Sequence, residues 1–398
     1  MPRPAHIAMI GTPVVGHVLP SLEIIRELVA RGHRVTYANA DHVAELITHT
    51  GVELVRLAST LPVADSDWPQ DPIAAASLFL DEAMAVLPQL HAAYDDAPAD
   101  LYLYDTGAYA ARALAEAQGR GIVQLSPTHV AWEGAQEEVC AALAGLPGGP
   151  AYRARFAAWL ARCGAVTTNV EEFTGRPRRA LAMIPRAMQP HADRVDADAV
   201  TFVGPCFGAG EEQAGWMRPA GAEKVLLVSL SGSVHPGPQE IYQQCVAAFA
   251  DLPDWHVVLQ IGSGSDPAEL GERIPPNFEV RPWAAPLTIL EQADACVTHT
   301  GIGSSSECLY AGVPVIAVPH GAEQCLYADR LVELGVARRI DTANVTAAAL
   351  RTALMELIGD PRVAAGSAWM WAEVRAEGGT RRAADLIEEQ LAEERVGS

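Results

Sequence analysis

Short apolar runs alternate with segments of helical apolar spacing through the first 130 residues of the chain. Apolar residues on one face predict a helix over Pro20–Ala30. Because strands that alternate with helices form βαβ units, this part of the sequence predicts a parallel sheet. Its strand-like runs are His6–Ile10, Arg34–Ala38, Leu101–Tyr104 and Ile122–Leu125.

A second series of strand-like runs predicts a second parallel sheet. A segment rich in Gly, Pro and charge, Gly204–Gln213, separates the two series. We therefore predict an α/β protein with two doubly wound domains, at residues 1–210 and 223–375, joined by a linker at 211–222. Residues 376–398, with a helical pattern over Thr380–Glu394, are expected to pack back on the first domain. The runs of the second series are Val225–Leu230, His256–Ile261, Phe278–Arg281, Ala295–Thr298 and Pro314–Val318.

Composition narrows the possible partners. The chain has 398 residues and a formal net charge of −21, which argues against nucleic acid or an anionic membrane surface as a partner. The N-terminus has no apolar core of a secretory signal, and no uninterrupted apolar run is long enough to span a membrane. Seven scattered cysteines without a C-x-x-C pair favour a cytoplasmic protein with free thiols.

The most informative loop follows the first predicted strand. Gly11–Val18 has the Gly-x-x-x-x-Gly spacing of a phosphate-binding P-loop, but His17 and Val18 stand where that motif needs Lys and Ser or Thr. The pattern G-x-G-x-x-G is also missing there. What remains is an imidazole just before a helix, whose positive end disfavours protonation and keeps a neutral base available near pH 7.

Asp105 ends another predicted strand, Leu101–Tyr104. Carboxyl ends of parallel strands meet at one edge of a sheet, so Asp105 is placed to orient His17 and to stabilise its protonated form. The alternative is that each of the two residues only caps a helix.

The second predicted domain has a loop suited to a diphosphate. After the strand Ala295–Thr298 comes His299-Thr300-Gly301-Ile302-Gly303-Ser304-Ser305-Ser306-Glu307, with glycines, hydroxyls and a helix N-terminus that donate to oxyanions. Glu307 would accept hydrogen bonds from vicinal hydroxyls such as those of a ribose. Such a loop also simply joins strands to helices in many proteins.

Two further segments follow strands of the same domain. Trp283 follows Phe278–Arg281 and offers a ring that stacks on a base, although core packing explains a single Trp equally well. Glu323 and Gln324 follow Pro314–Val318 and are candidates for holding sugar hydroxyls, with helix capping as the alternative.

Together these motifs resemble the family 1 glycosyltransferases of the GT-B fold. The segments GHVLPSLEIIRELVARGHRVTYA, MQPHADRVDADAVTFVG and EGGTRRAADLIEEQL are similar to the bacterial macrolide glycosyltransferases. The resemblance implies an acceptor domain and a donor domain that face a central cleft. It further implies inverting transfer to a hydroxyl of a hydrophobic molecule from a UDP-sugar co-substrate, for which UDP-glucose is expected. No cofactor and no metal ion are expected, and the protein is expected to be a monomer or homodimer.

The resemblance also assigns roles by position. His17 is the expected general base and Asp105 its partner. In the donor domain Trp283 would stack on the base, Glu307 would meet the ribose, and Glu323 and Gln324 would face the sugar. The residues expected around the diphosphate, or otherwise in the donor site, are His299, Gly301, Gly303, Ser304, Ser305 and Ser231.

Two departures from the family pattern affect the donor. Trp283-Ala284-Ala285-Pro286 lacks the glutamine of the usual W-x-P-Q, and Glu323 stands in place of the usual Asp. A TDP-deoxysugar donor used in polyketide biosynthesis is therefore the first alternative. A non-catalytic nucleotide-sugar-binding protein is the second. A nicotinamide oxidoreductase and a serine hydrolase are disfavoured, because G-x-G-x-x-G and G-x-S-x-G are absent.

The sequence leaves the acceptor open. Large apolar side chains in residues 62–90 and 130–190 are suited either to an apolar acceptor pocket or to the core. They are Trp68, Phe79, Met84, Trp132, Tyr152, Phe156, Trp159 and Met183.

Overall fold

The computed structural model describes residues 4–64, 67–208, 216–230, 239–262, 265–270, 274–284 and 286–397. These residues form two compact units. The first comprises Met1–Phe207 and Glu377–Ser398, and the second comprises Gly208–Ala376. Residues 211–215 of the predicted linker lie outside the described part of the chain.

The first unit is built on a seven-stranded sheet with the order β3-β2-β1-β4-β5-β6-β7, in which every described pair of neighbours is parallel. The order reverses between β1 and β4, so these two strands flank the topological switch point. The strands are β1 His6–Ile10, β2 Arg34–Ala40, β3 Glu53–Leu57, β4 Leu101–Asp105, β5 Gly121–Ser126, β6 Ala180–Ala182 and β7 Val200–Phe202.

Helices cover both faces of this sheet. They are α1 Val15–Ala30, α2 Ala44–Thr48, α3 Pro72–Tyr94, α4 Tyr109–Ala117, α5 Ala135–Ala144, α6 Gly149–Leu160, α7 Val170–Gly175 and α14 Gly379–Gly397. Helix α14 contributes Ile387 and Leu391 to the apolar core shared with α1. Arg31, which follows α1, pairs with Asp385 and Glu388 of α14 at 2.7 Å each. The prediction that the C-terminal helix packs on the first domain is thereby confirmed.

The second unit contains a six-stranded parallel sheet with the order β10-β9-β8-β11-β12-β13, and its switch point lies between β8 and β11. Two parallel sheets with helices on their faces confirm the predicted fold class. The strands are β8 Lys224–Ser229, β9 Trp255–Gln260, β10 Phe278–Arg281, β11 Ala295–Thr298, β12 Val315–Ala317 and β13 Ala337–Arg339. The helices are α8 Gln239–Phe249, α9 Pro286–Leu290, α10 Ile302–Ala311, α11 Ala322–Glu333, α12 Ala347–Gly359 and α13 Pro361–Ala376.

The predicted start of the first helix was wrong. We expected Pro20 to begin the helix, whereas α1 begins at Val15 and contains Pro20 in its interior. The backbone N–H groups of His17 and Val18 both donate to the carbonyl of Val14, at 2.8 and 3.0 Å, and this starts the helix early. A proline there removes one helical hydrogen bond, but its fixed φ is compatible with the helix. His17 is therefore the third residue of α1 and not a loop residue.

Helix α3 is long and apolar enough to span a membrane by length and composition alone. Its buried residues, among them Leu80, Leu87 and Leu90, pack in the apolar core of the first unit. Asp81 and Glu82 interrupt its apolar sequence. Core helices pass the same length test, and the buried face of α3 places this helix in the core of the first unit.

Candidate active site

The switch point of the first unit brings a histidine and an aspartate together. Nδ1 of His17, in the first turn of α1, lies 2.9 Å from Oδ2 of Asp105 at the end of β4. The Asp105 side chain is 1% exposed and that of His17 is 26% exposed. A hydrogen bond from Nδ1–H to the carboxylate fixes the tautomer and leaves Nε2 as the basic nitrogen.

Asp105 is held by two further donors. Thr12, which is buried in the loop after β1, donates its hydroxyl to Oδ1 of Asp105, and the backbone N–H of Gly107 donates to the same oxygen at 3.0 Å. A Cβ added at Gly107 would lie 2.8 Å from the Thr12 hydroxyl, so the absence of a side chain allows the hydroxyl to approach. The carboxylate therefore has one orientation, which is the one that reaches His17.

The capping alternative does not describe these two residues. His17 lies inside α1, after its N-cap Val14, and the N-cap of α4 is Ala108 rather than Asp105. His17 is a partly exposed base, and the buried carboxylate of Asp105 orients it. This arrangement has the geometry needed for proton-transfer catalysis.

The same switch point borders a cavity that is partly open to solvent. Thr12 and Gly107, the two residues that hold Asp105, are part of its wall. Most of the remaining lining is apolar and comes from β1, β2, β3, α3, α4 and the loops that follow the strands. Examples are Ile10, Leu57, Leu61, Ala83, Val86 and Tyr109.

The large apolar side chains predicted to line either an acceptor pocket or the core are not among the described residues that line this cavity. Phe156 and Trp159 are buried in the core and contact Phe173, and Met183 belongs to a second core cluster. The others form pairs or border the core: Trp68 with Phe79, Trp132 with His191, Tyr152 with Phe156, and Met84 beside Arg155. None of these eight predicted residues is among the described residues of the cavity wall.

In the second unit the loop from β11 to α10 lies at the switch point of its sheet. Gly301 is the N-cap of α10, so Gly303 and Ser304 lie in its first turn, where backbone N–H groups have no partner within the helix. A Cβ at Gly301 would lie 2.9 Å from Nε2 of His299, whereas one at Gly303 would meet no atom within 4 Å. Of these two positions, therefore, only Gly301 is so close to another side chain that a Cβ would collide with it.

His299 is neutral at physiological pH. Burial and the nearby His320 imidazole lower its pKa to about 4, against a backbone hydrogen bond with Ser229 that raises it. Its Nδ1 atom is buried and has no hydrogen-bond partner in the described part of the chain. A neutral imidazole next to a helix N-terminus can meet a diphosphate as an N–H donor, not as a cation.

Three predicted polar site residues in the first turns of α10, namely Ser304, Ser305 and Glu307, differ in their surroundings. Ser304 accepts a hydrogen bond from Thr298 at 2.9 Å and is half-buried, whereas Ser305 is fully buried and its hydroxyl has no described partner. Burial raises the pKa of the Glu307 carboxyl to about 7. A carboxyl that titrates so far above its ordinary value is typical of a functional site.

Thr300 has a backbone conformation that sequence reasoning missed. Its φ is +59°, in the left-handed region that a β-branched residue rarely adopts. Its hydroxyl donates to the carbonyls of His299 and Gln324, at 2.7 and 3.0 Å. Thr300 thus connects the loop before α10 to the first turn of α11.

The other predicted donor-site residues are accessible. Trp283 is 53% exposed, which excludes the core alternative. Glu323 is exposed and accepts a hydrogen bond from the Tyr327 hydroxyl at 2.6 Å, while Gln324 accepts one from the backbone N–H of His320 at 2.7 Å. Ser231 lies outside the described residues.

The cysteines form no disulfide in the structure, and all seven are free. Within the described ranges, no group of three or more His, Cys, Asp or Glu side chains is arranged to hold a metal ion.

Thr12, Gly107 and Thr300 were missed as site residues. The signal available for Thr12 and Gly107 was their position directly after strands that flank a switch point, which is the sheet edge where ligands bind. Nothing in the sequence indicates a positive φ at a threonine.

Comparison with known proteins agrees with this geometry. A family model described as "Erythromycin biosynthesis protein CIII-like, C-terminal domain" matches residues 243–389. The chain is 50% identical over 395 residues to an oleandomycin glycosyltransferase of Streptomyces antibioticus, covering 98% of this chain and 91% of that protein. It is 33% identical to an NDP-glycosyltransferase of Bacillus licheniformis, covering 97% and 98% of the two chains.

A solved structure shows the same likeness. The crystal structure of the glycotransferase of kitacinnamycin superposes with a TM-score of 0.89 at 50% identity, covering 98% of this chain and all of that one. The fold and these similarities define a glycosyltransferase. The chain belongs to the family 1 glycosyltransferases of the GT-B fold.

Proposed function

We propose that this protein transfers a sugar, glucose from UDP-glucose, to a hydroxyl of a macrolide or similar hydrophobic natural product, with inversion at the anomeric carbon. The observation that carries the proposal is the 2.9 Å contact between His17 and the buried Asp105 beside an apolar cavity. Nε2 of His17 takes the hydroxyl proton, and Asp105 stabilises the imidazolium that forms.

The bond changes follow from that proton transfer. The acceptor oxygen attacks the anomeric carbon while the bond to the nucleoside diphosphate breaks, so an α-linked donor gives a β-glycoside. The leaving diphosphate gains negative charge, which neutral His299 and the N-terminus of α10 stabilise as preorganised donors. Trp283 stacks on the base, Glu307 binds the ribose, and Glu323 and Gln324 contact the sugar. No metal ion takes part.

Similarity to a protein named oleandomycin glycosyltransferase supports a macrolide acceptor. We propose in addition that the transfer inactivates such a compound. The seven free cysteines support a cytoplasmic location.

A donor-by-acceptor panel with mass-spectrometric detection tests the proposal. Purified protein is incubated with UDP-glucose or TDP-deoxysugars and with macrolides, polyketide aglycones or simple phenols, with and without EDTA. We expect a hexose adduct of the macrolide from UDP-glucose, undiminished by EDTA. Absence of any adduct would favour a non-catalytic binding protein, and strict dependence on Mg²⁺ or Mn²⁺ would contradict the metal-free transfer.

The second candidate is a biosynthetic transferase that uses a TDP-deoxysugar on a polyketide. Glu323 favours it, because this residue replaces the shorter Asp of the family pattern at the end of the site expected to hold the sugar. Turnover with the deoxysugar donors in preference to UDP-glucose would support this candidate.

A further inference from the structure

The cavity beside Asp105 has one charged residue in its wall. Of the described residues that line it, only Glu82 of α3 carries a formal charge, and most of the others are apolar. The Glu82 side chain is half-buried. A carboxylate on an apolar wall is expensive to desolvate unless a positive charge or several donors compensate it.

Two hydrogen bonds offset the desolvation of one oxygen of the Glu82 carboxylate. Oε2 of Glu82 accepts hydrogen bonds from the backbone N–H of Thr60 at 2.6 Å and from the Thr60 hydroxyl at 2.7 Å. Both bonds hold the side chain in place at the cavity wall. Oε1 has no donor, and no Lys or Arg pairs with Glu82, within the described part of the chain.

The neighbouring acid on the same helix is treated differently. Asp81 pairs with Arg155 and does not line the cavity. Helix α3 therefore carries two adjacent carboxylates. Asp81 is paired with an arginine, whereas Glu82 lies at the cavity wall and has no cation as partner in the described part of the chain.

We propose that Glu82 is the binding site for a protonated amine of the acceptor, and that the protein selects hydrophobic acceptors that carry an ammonium group. An ammonium donates to Oε1 and supplies the missing positive charge, while the apolar wall holds the carbon skeleton. The inference rests on the proposed function, because it takes this cavity as the acceptor site.

Glu82 lies in the wall of the same cavity as the two residues that hold Asp105, so an amine bound there would position the reacting hydroxyl of the acceptor. Thr12 and Gly107 line the same cavity and both bind Asp105, the partner of His17. An acceptor anchored at Glu82 is thereby held in the cavity that borders the proton-transfer pair. Anchoring of this kind contributes to the rate by fixing the position of the nucleophile.

The test compares a macrolide that carries a tertiary amine with its N-oxide, which keeps the ring system and hydroxyls but has no net charge at neutral pH. Acceptor binding is measured by isothermal titration calorimetry in the absence of donor, for the unmodified protein, Glu82→Gln and the control Asp81→Asn. Glutamine keeps an oxygen that accepts from Thr60, so the loop at Thr60 stays anchored. Asp81→Asn removes one charge from the same helix without changing the cavity.

We expect Glu82→Gln to weaken binding of the amine by about tenfold to a hundredfold, the range for a hydrogen bond to a charged group, and to change N-oxide binding less than twofold. Asp81→Asn should leave the preference for the amine unchanged. Equal losses for both macrolides in Glu82→Gln, an unchanged preference, or no binding of the amine to the unmodified protein would overturn the inference. Selective binding without sugar transfer from any donor would overturn the proposed function instead and would support the inference.

Discussion

The hydroxyl of Thr12 donates a hydrogen bond to Asp105, the carboxylate that orients His17. Thr12 follows β1 and Asp105 ends β4, so the contact spans the two strands that flank the switch point of the first sheet. The orientation of His17 therefore depends on Thr12, although no described contact joins these two residues directly.

Thr12→Val tests this dependence. Valine has the shape of threonine but leaves a buried carboxylate oxygen short of one donor, at a cost of about 1–3 kcal/mol. We expect kcat to fall by about tenfold, because each 1.4 kcal/mol of barrier is a factor of ten, with donor KM nearly unchanged. Thr12→Ser keeps the hydroxyl and should retain most of the activity. Similar losses in both variants, measured by steady-state kinetics, would mean that only packing at this position matters.

The two glycines of the loop before α10 should respond differently to alanine. At Gly301 the new Cβ would lie 2.9 Å from the His299 ring, whereas at Gly303 it would meet open space. We expect Gly301→Ala to raise donor KM and to lower the free energy of unfolding by about 1–3 kcal/mol, as overpacking does. Gly303→Ala should raise donor KM without loss of stability, because alanine is favoured over glycine within a helix.

Donor KM from steady-state kinetics and thermal unfolding, both measured on Gly301→Ala and Gly303→Ala, test this prediction. Loss of stability in Gly303→Ala, or unchanged donor KM in both variants, would remove the loop from the donor site.

The raised pKa of Glu307 predicts that the free energy of unfolding depends on pH. The carboxyl releases its proton near pH 4.5 when unfolded and near pH 7 when folded. Between these values the folded protein binds more protons, so the free energy of unfolding decreases as pH rises, by at most about 3 kcal/mol in total. Glu307→Gln should therefore stabilise the donor-free protein at pH 8 and have little effect at pH 4. Denaturant unfolding at the two pH values measures the difference, and an equal effect at both would contradict the raised pKa.

The same residue predicts how donor affinity depends on pH. An ionised carboxylate accepts hydrogen bonds from both ribose hydroxyls, so UDP-glucose should bind more tightly at pH 8 than at pH 6. In Glu307→Gln this difference should disappear.

The sequence predicted the two-sheet fold because most strands are buried over most of their length and therefore appear as largely apolar runs. It missed β3, whose exposed Glu53 and Arg56 interrupt the run, and β6, β7 and β13, which have three residues each. The pairing of His17 with Asp105 followed from the ends of parallel strands alone. The predicted start of α1 was wrong because the Val14 carbonyl already starts the first turn, and the helix continues through Pro20 at the cost of one backbone hydrogen bond.

Side-chain contacts of the site were less accessible to sequence reasoning. The cavity beside Asp105 is lined largely by small and medium-sized residues, whereas Phe156 and Trp159, which were candidates for such a lining, fill the core. Size and apolarity cannot distinguish a cavity wall from a core position. The positive φ of Thr300 and the hydroxyl contact of Thr12 both depend on tertiary packing.

Glu323 tests the identity of the donor sugar. One carboxylate oxygen accepts from Tyr327, which leaves the other for a sugar hydroxyl. We expect Glu323→Ala to lower kcat/KM for UDP-glucose by about tenfold to a hundredfold, the cost of one to two unpaired polar groups, and to affect a deoxysugar donor much less. Tyr327→Phe is the control, since it removes the internal hydrogen bond and keeps the carboxylate. If both substitutions have the same effect on both donors, Glu323 serves only to stabilise α11.

The central claim is that His17 removes the proton from the acceptor hydroxyl, and the rate of His17→Ala with acceptors of different acidity tests it most directly. With an aliphatic alcohol, kcat should fall by a factor on the order of 10²–10⁴, the usual contribution of a general base. With a phenol that is already ionised at the assay pH the base is unnecessary, so the same variant should keep most of its activity. Equal losses with the alcohol and the ionised phenol would contradict a role for His17 in proton transfer.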